Sequence, residues 1–176
     1  VSFSFTIDTS SPTWQEVSPA QGYQTTNRRY PFSAVPFDVG SGVEVSSIRL
    51  RLDGDDVTEM ASISASLVQF TPATDLADGT HRLEADLSDR AGNAAPVLVV
   101  EYVVASAVGE VNSEQGGTIA VTQPGSPIEG AAIVVPPGAV PADAMISIQE
   151  AVAPQDLPAY AGAAGEVVEI SSTVNP

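Results

Sequence analysis

The chain has 176 residues, of which 22 are acidic and 6 are basic, so its formal net charge is −16 at pH 7. A field of this sign repels phosphate backbones and anionic lipid headgroups, which disfavours roles in nucleic-acid binding and at membrane surfaces. Cysteine is absent, which excludes disulfides and thiolate chemistry. No apolar run approaches the roughly 20 residues that a membrane-spanning helix needs.

Apolar and polar residues alternate along most of the first hundred positions, a period of two that indicates half-buried strands. The predicted strands are Val1–Asp8, Arg28–Pro36, Val45–Leu52, Val57–Met60, Ile63–Phe70, His81–Ser88 and Val97–Val104. Two prolines in Arg28–Pro36 favour an edge strand, and Asp53-Gly54 predicts a tight hairpin turn. About seven strands at roughly ten-residue spacing are typical of a β-sandwich.

The residue composition changes after Ala105–Gln115, a short and polar stretch that is predicted to be a linker. Further strands are predicted at Gly116–Val121, Ala132–Val135, Ala144–Ala151 and Glu166–Ser171. We therefore expect an all-β chain with a sandwich at 1–106 and a second, smaller β domain at 107–176. Large side chains are scarce in the second domain. We therefore expect its core to be marginal and the domain to be incomplete within the given sequence.

The first part resembles the bacterial immunoglobulin-like domains that occur in tandem on exported proteins. The resemblance is carried by FTIDTSSP at 5–12, DVGSGVEVSSIRLRLDG at 38–54 and LADGTHRLEADLSDRAGN at 76–93, in that order. It implies an immunoglobulin-like sandwich over residues 1 to 105. Such domains commonly have Tyr where this chain has His81.

The second part resembles the β domain shared by ankyrins, zonula-occludens proteins and netrin receptors, which also occurs in bacterial surface proteins. The resemblance is carried by Gly116-Gly117, by IVVPPGAVPADAMISIQEA at 133–151 and by GEVVEISS at 165–172. Some members of that family cleave themselves at a His-Phe-Ser site. No histidine follows His81 here, so the resemblance does not extend to this activity.

His81 is the single histidine, and it has the inward parity of its strand. We expect a structural role in which its ring N–H binds nearby backbone and closes the end of the sandwich. With one His and no Cys, ordinary zinc and copper sites are excluded. A nucleophilic serine of the G-x-S-x-G type is absent as well, so we predict no catalytic residues and no enzyme.

Clustered carboxylates leave weak calcium binding open, because Ca²⁺ prefers oxygen ligands. The candidates are Asp53, Asp55 and Asp56 in one turn, Asp86 and Asp89 with Asn93 around a second turn, and Asp8 with Asp38 if their loops converge. Ser64 stands where a full calcium loop beginning at Asp53 would need a bidentate Glu. Simple solvation of these acids is the competing interpretation, and no cofactor other than calcium is expected.

The start at Val1 rather than Met suggests a segment of a longer protein. We expect a non-catalytic, extracellular or cell-surface module of a bacterial surface or secreted protein, monomeric within its chain, with a protein or glycan partner. One alternative is a carbohydrate-binding accessory module, for which Trp14, Tyr23 and Tyr30 are the aromatic candidates. Another is a secreted enzyme whose site consists of carboxylates alone, which would require a pocket holding two acids.

Overall fold

The computed structural model describes residues 7–151 and 167–174 of the chain. The chain is all-β, as predicted. The strands are β1 Thr13–Ser18, β2 Tyr23–Thr25, β3 Phe32–Phe37, β4 Arg49–Leu52, β5 Asp55–Asp56, β6 Ser62–Ile63, β7 Val68–Phe70, β8 Gly79–Asp86, β9 Leu98–Val104, β10 Ala107–Val111, β11 Gly117–Ala120, β12 Ala132–Val135, β13 Ala144–Ala151 and β14 Val167–Val174. Among these residues, no helix has the length and apolar character for a membrane crossing.

Two compact units make up the chain. The first unit contains the described parts of Val1–Tyr23, Arg29–Ala73 and His81–Tyr102, and the second contains those of Gln24–Arg28, Thr74–Thr80 and Val103–Pro176. Two short segments from the first hundred residues therefore belong to the second unit. The proposed domain boundary at 106/107 remains a prediction.

Strands β1 to β9 form two sheets, with the orders β1-β3-β7-β6 and β2-β9-β8-β4-β5. Each sheet buries one face because its apolar residues recur at every second position. The buried residues are Phe32, Ala34, Val68 and Phe70 in the first sheet and Leu50, Leu52, Leu83, Ala85, Val100 and Tyr102 in the second, and Leu87 is buried directly after β8. These two faces supply the core of a β-sandwich.

Several strand predictions need correction. β3 lies between β1 and β7, so the edge position predicted for Arg28–Pro36 is wrong; Pro36 is next to the last residue of β3, where a missing N–H disturbs little of the ladder. The predicted return strand Val57–Met60 is also wrong. β5 provides the return, and Thr58–Met60 is a 3₁₀ turn.

Local polar side chains explain two more differences. Val45–Ser47 is a 3₁₀ turn because the Glu44 carboxylate accepts the Ser46 N–H. The predicted strand Ile63–Phe70 is instead two strands, β6 and β7, since the Ser64 hydroxyl accepts the Leu67 N–H and turns the chain. Both are side-chain to backbone bonds that compete with a strand ladder. The part of the predicted strand Val1–Asp8 before residue 7 lies outside the described residues.

The second unit contains a three-stranded sheet, β10-β13-β14, and a two-stranded ribbon, β11-β12. Its core consists of Ala107, Val111, Ile119, Val121, Ile128, Ile146 and Ile148. The predicted linker Ala105–Gln115 is wrong, because β10 pairs with β13 along its whole length and buries Ala107 and Val111. A five-residue strand of small side chains gives too short an alternation to be recognised from sequence.

Candidate functional site

Three carboxylates from different loops of the first unit meet at one place. Asp8 precedes β1, Asp38 follows β3 and Asp89 follows β8. One oxygen from each lies within 4.8 Å of the others, and this is the one such group of three metal-ligating acids among the described residues. We refer to Asp8, Asp38 and Asp89 as the acidic triad.

Asp8 is held by backbone N–H groups on both of its oxygens. Oδ2 accepts the Ser41 N–H at 2.6 Å, and Oδ1 accepts the Ser10 N–H at 3.0 Å. These bonds, that from Ser41 above all, lower the pKa of the Asp8 carboxyl. A Cβ at position 40 would overlap the Asp8 carboxylate, so any larger residue in place of Gly40 would displace the Asp8 side chain from this position.

The two carboxylate oxygens of Asp38 differ in their hydrogen bonding. Its Oδ2 accepts the Gly42 N–H at 2.7 Å and the Gly40 N–H at 3.0 Å. Its Oδ1 is buried and has no hydrogen-bond partner within the described part of the chain. A buried charged oxygen without a partner is costly, so this atom is positioned to bind a cation or a protonated group.

Asp89 is almost fully buried, at 2% exposure. Its oxygens accept the Asn93 backbone N–H at 2.8 Å and the Asn93 side-chain amide at 2.6 Å. The same amide group donates to the Asp8 carbonyl oxygen at 3.2 Å. Asn93 therefore binds two of the three loops together and fixes the separation between Asp8 and Asp89.

Ionised carboxylates this close repel one another. Two arrangements relieve the repulsion: a proton shared between two of the acids, or a bound cation. A set of hard oxygen ligands with flexible geometry suits Ca²⁺. Sequence reasoning named all three residues but placed Asp8 and Asp38 in one candidate site and Asp89 in another.

The other calcium candidates lie elsewhere in the first unit. Asp86 contacts Arg51, with 2.7 Å between its Oδ2 and the Arg51 Nη1. Asp56 accepts the Thr58 N–H at 2.9 Å, and the hydrogen bonds from Thr58 lower its pKa. Asp55 lies exposed in β5. Calcium binding at these residues remains untested.

Asp53 contacts His81, the single histidine of the chain. Its Oδ2 lies 2.7 Å from the His81 Nδ1, and its Oδ1 accepts the Arg82 N–H at 2.8 Å. His81 is buried on the inward face of β8, as its parity predicts, but a carboxylate partner was not foreseen. The centroid of the Tyr102 ring lies 5.9 Å from that of the His81 ring. Burial of the Tyr102 phenol, and then the Asp53 charge, raise the pKa of Tyr102 to about 12.

Two open surface hollows each hold two acids. One, of about 400 Å³ in the second unit, is lined by Asp75 and Glu150. The other, of about 550 Å³ in the first unit, is lined by Asp56 and Glu59. A glycosidase general acid needs a raised pKa, and the pKa of Asp56 is lowered, so Asp56 does not suit that role.

Two of the three aromatic candidates lie side by side. Tyr23 and Tyr30 are neighbours, with 4.9 Å between ring centroids and 47° between ring planes. Tyr23 is 40% exposed, whereas Tyr30 and Trp14 are partly buried. The Trp14 Nε1 is buried without a hydrogen-bond partner among the described residues.

The strand order defines the class of fold. Immunoglobulin constant-type domains have strands A, B, E and D in one sheet and C, F and G in the other. Here β1, β3, β7 and β6 occupy the first set of positions, and β4, β8 and β9 the second, with β5 and β2 added at the two ends. The first unit is an immunoglobulin-like β-sandwich.

No family model and no curated protein matches the chain. Solved structures with some similarity include CopC from Methylosinus trichosporium OB3b (16% identity, 53% of this chain and 92% of that chain, TM-score 0.41). An endo-beta-1,4-mannanase from Thermotoga petrophila has 15% identity over 55% of this chain and 20% of its own, with a TM-score of 0.43. The fibronectin(III)-like modules of Clostridium thermocellum CbhA have 16% identity over 53% of this chain and 94% of that chain, with a TM-score of 0.37. At this level the likeness is weak, and the fold assignment rests on the strand order.

Proposed function

We propose that the chain is a non-catalytic structural module of a larger bacterial surface or secreted protein, with a role in spacing, display or adhesion outside the cell. The observation that carries the proposal is the use of ionisable groups in the first unit. His81 contacts Asp53, Arg51 contacts Asp86 and Asp8 contacts backbone N–H groups. Side chains used in this way stabilise turns and strands, and a rigid frame presents its loops and edges to partners.

We further propose that Ca²⁺ binds the acidic triad and holds its three loops together. The unpartnered Asp38 Oδ1 supports this, because a cation would satisfy it and also relieve the repulsion between Asp8 and Asp89. The expected affinity is that of extracellular calcium modules, with Kd of about 0.1 to 1 mM. Calcium would then act on the rigidity of the module rather than on a reaction.

Calorimetric titration and thermal unfolding test the calcium proposal. With Kd of about 0.1 to 1 mM, about 10 mM Ca²⁺ stabilises the folded chain by about 1.4 to 2.7 kcal/mol. For a unit of this size that is a rise in Tm of several degrees. Chelator-treated protein that gives no heat and no rise in Tm with Ca²⁺ would dismiss the site.

Substitutions within and outside the acidic triad localise the effect. Asp38→Asn and Asp89→Asn should abolish the calcium-dependent rise in Tm, since each removes a charged ligand. Asp55→Asn removes the same charge from an exposed position in β5 and should leave the rise unchanged. Equal responses of all three variants would place the bound calcium elsewhere or make it non-specific.

Carbohydrate binding is the second candidate, and the exposed Tyr23 ring beside Tyr30 favours it. Sugars stack on exposed aromatic faces, so Tyr23→Ala should abolish any glycan binding. Screening of the wild-type chain and this variant on a glycan array decides between the two functions. Silence of the wild-type chain supports a structural module, and a signal lost in Tyr23→Ala supports an accessory module.

A carboxylate-only enzyme is tested at the hollow that Asp75 and Glu150 line. Hydrolysis of aryl glycosides by the wild-type chain, lost in Glu150→Gln, would refute the non-catalytic proposal. We expect no turnover above that of buffer.

We also propose that the second unit is a form of the β domain shared by ankyrins, zonula-occludens proteins and netrin receptors. β12 and β13 both fall largely within the stretch 133–151 that carries this resemblance, and β14 begins within 165–172. These strands and the rigid Pro-rich corner between β12 and β13 support the proposal.

A further inference from the structure

Two aliphatic side chains on one side of β14 in the second unit, those of Val168 and Ile170, are exposed to solvent. β14 pairs with β13 over eight residues, and Ile170 lies opposite Ile148. Directly opposed residues of an antiparallel pair point to the same face of the sheet. Ile148 is 1% exposed in the core of the second unit, so Ile170 points to the core side as well.

Side chains on this face are nevertheless buried in β13 and exposed in β14. Ile170 is 59% exposed and its same-face neighbour Val168 is 38% exposed. The ribbon β11-β12 covers β10, where a Cβ on Gly109 would meet the Ile119 side chain at 2.7 Å. The core face of the sheet is thus buried at β10 and β13 and open to solvent at β14.

β14 also ends its sheet within the described residues, since the order is β10-β13-β14. A strand at the edge of a sheet presents N–H and C=O groups that can pair with another strand. An added strand with aliphatic residues on the core side would cover Ile170 and continue the existing apolar core. Strand addition of this kind is an established mode of peptide recognition.

Charge indicates what the added strand should carry on its other face. Residues 107–176 contain 8 acidic and no basic residues. Glu169 of β14 is exposed and, by alternation, lies on the face opposite Ile170. A second copy of the chain would bring two such acidic halves together, whereas Lys or Arg at this position would form a favourable cross-strand pair.

We propose that β14 accepts an additional strand from another protein, an extended segment in which aliphatic side chains alternate with Lys or Arg side chains. The side chains of Val168 and Ile170 contact the aliphatic residues, and Glu169 pairs with the basic ones. This partner goes beyond the proposed structural function, which names none. Because it involves only the second unit, it can fail while the calcium test of the first unit succeeds, and the reverse also holds.

The test uses two synthetic peptides as long as β14, both made from the same four aliphatic and four basic residues. In one peptide the two kinds alternate, and in the other they form separate blocks. Both have the same charge, so general attraction to an acidic protein contributes equally to each. We expect the alternating peptide to bind at least about tenfold more tightly in fluorescence anisotropy, with NMR amide shifts concentrated at Val168–Ser172.

Two variants, each with an exposed aliphatic residue replaced by threonine, complete the design. Ile170→Thr should weaken binding of the alternating peptide by about tenfold, because it removes apolar surface that the peptide would cover. Val134→Thr alters an aliphatic residue that is 72% exposed on β12 and should leave binding unchanged. Both positions are exposed, so circular dichroism should show both variants folded.

Several results would overturn the inference. These are no binding of the alternating peptide, equal affinity for the two peptides, equal losses in the two variants, or shifts centred away from β14. Self-association of the wild-type chain that Ile170→Thr abolishes, measured by analytical ultracentrifugation, would identify a second copy as the occupant and would also overturn it.

Discussion

Replacement of Asp78 should unfold or loosen the second unit more than any change at an exposed acid. The Asp78 side chain is 2% exposed and accepts three hydrogen bonds. The donors are the Arg28 Nη2 at 2.5 Å, the Ser106 hydroxyl at 2.5 Å and the Glu150 backbone N–H at 2.9 Å. Asp78→Ala leaves all three donors without this acceptor.

The size of the effect follows from these contacts. Breaking a buried ion pair by removing one partner costs about 3 to 5 kcal/mol. The Arg28 side chain is 21% exposed and keeps its bond to the Leu76 carbonyl oxygen, so water and this bond recover part of the loss. We expect a loss of about 3 kcal/mol, a large fraction of the roughly 5 to 15 kcal/mol that stabilises a typical domain.

Hydrogen exchange is the suitable assay, because a chain of two units need not unfold in one step. In Asp78→Ala, the amides of β13, that of Glu150 among them, should lose protection, while amides of β4 and of residues 81–86 of β8, which belong to the first unit, retain it. Asp78→Asn keeps one acceptor oxygen and should lose about half as much. If Asp78→Ala costs no more than Glu114→Ala at an exposed position of the second unit, the reasoning is refuted.

Three further predictions concern single residues. Gly116→Ala should destabilise the second unit by more than Gly125→Ala in chemical denaturation: both glycines have positive φ, but only at Gly116 would a Cβ overlap the backbone of β12. Hydrogen bonds from Ser113 lower the pKa of the Asp143 carboxyl. Its contribution to stability is therefore present above the ordinary pKa of 3.8 and is lost as the pH falls through the lowered pKa. Asp143→Asn should reduce the fall in Tm between about pH 5 and 2, and a variant whose Tm falls as much as that of the wild-type chain would contradict this. The Tyr102 phenol should ionise only near pH 12, so that Tyr102→Phe removes the last step of an ultraviolet titration; loss of an earlier step instead would contradict the burial argument.

Sequence alone was enough to predict the fold class and the longest strands. β13 was predicted to the residue, β9 to within one residue and β8 with a shift of two residues at each end, because six or more alternating positions define which face of a strand is buried. Short elements were missed. β1 contains no buried residue, β2 has only three residues and β10 only five, so none of the three shows a long contrast between apolar and polar positions, on which such predictions depend.

The candidate site was only partly predictable. Asp8, Asp38 and Asp89 were each named because clustered carboxylate oxygens in predicted turns and loops are candidate calcium ligands. Their convergence depends on the sandwich, which brings loops distant in sequence to one end. The contact of Asp53 with His81 was likewise missed, since the two residues are 28 positions apart in sequence and meet only when β4 and β8 pair.

The central claim is that the acidic triad is a cation site that stabilises a structural module, and crystals grown with calcium test it most directly. We predict an anomalous density peak about 2.3 to 2.6 Å from oxygens of Asp8, Asp38 and Asp89, with the Asp38 Oδ1 among the ligands. A structure at saturating calcium in which no ion lies between these carboxylates, and two of them share a short hydrogen bond, would contradict the account.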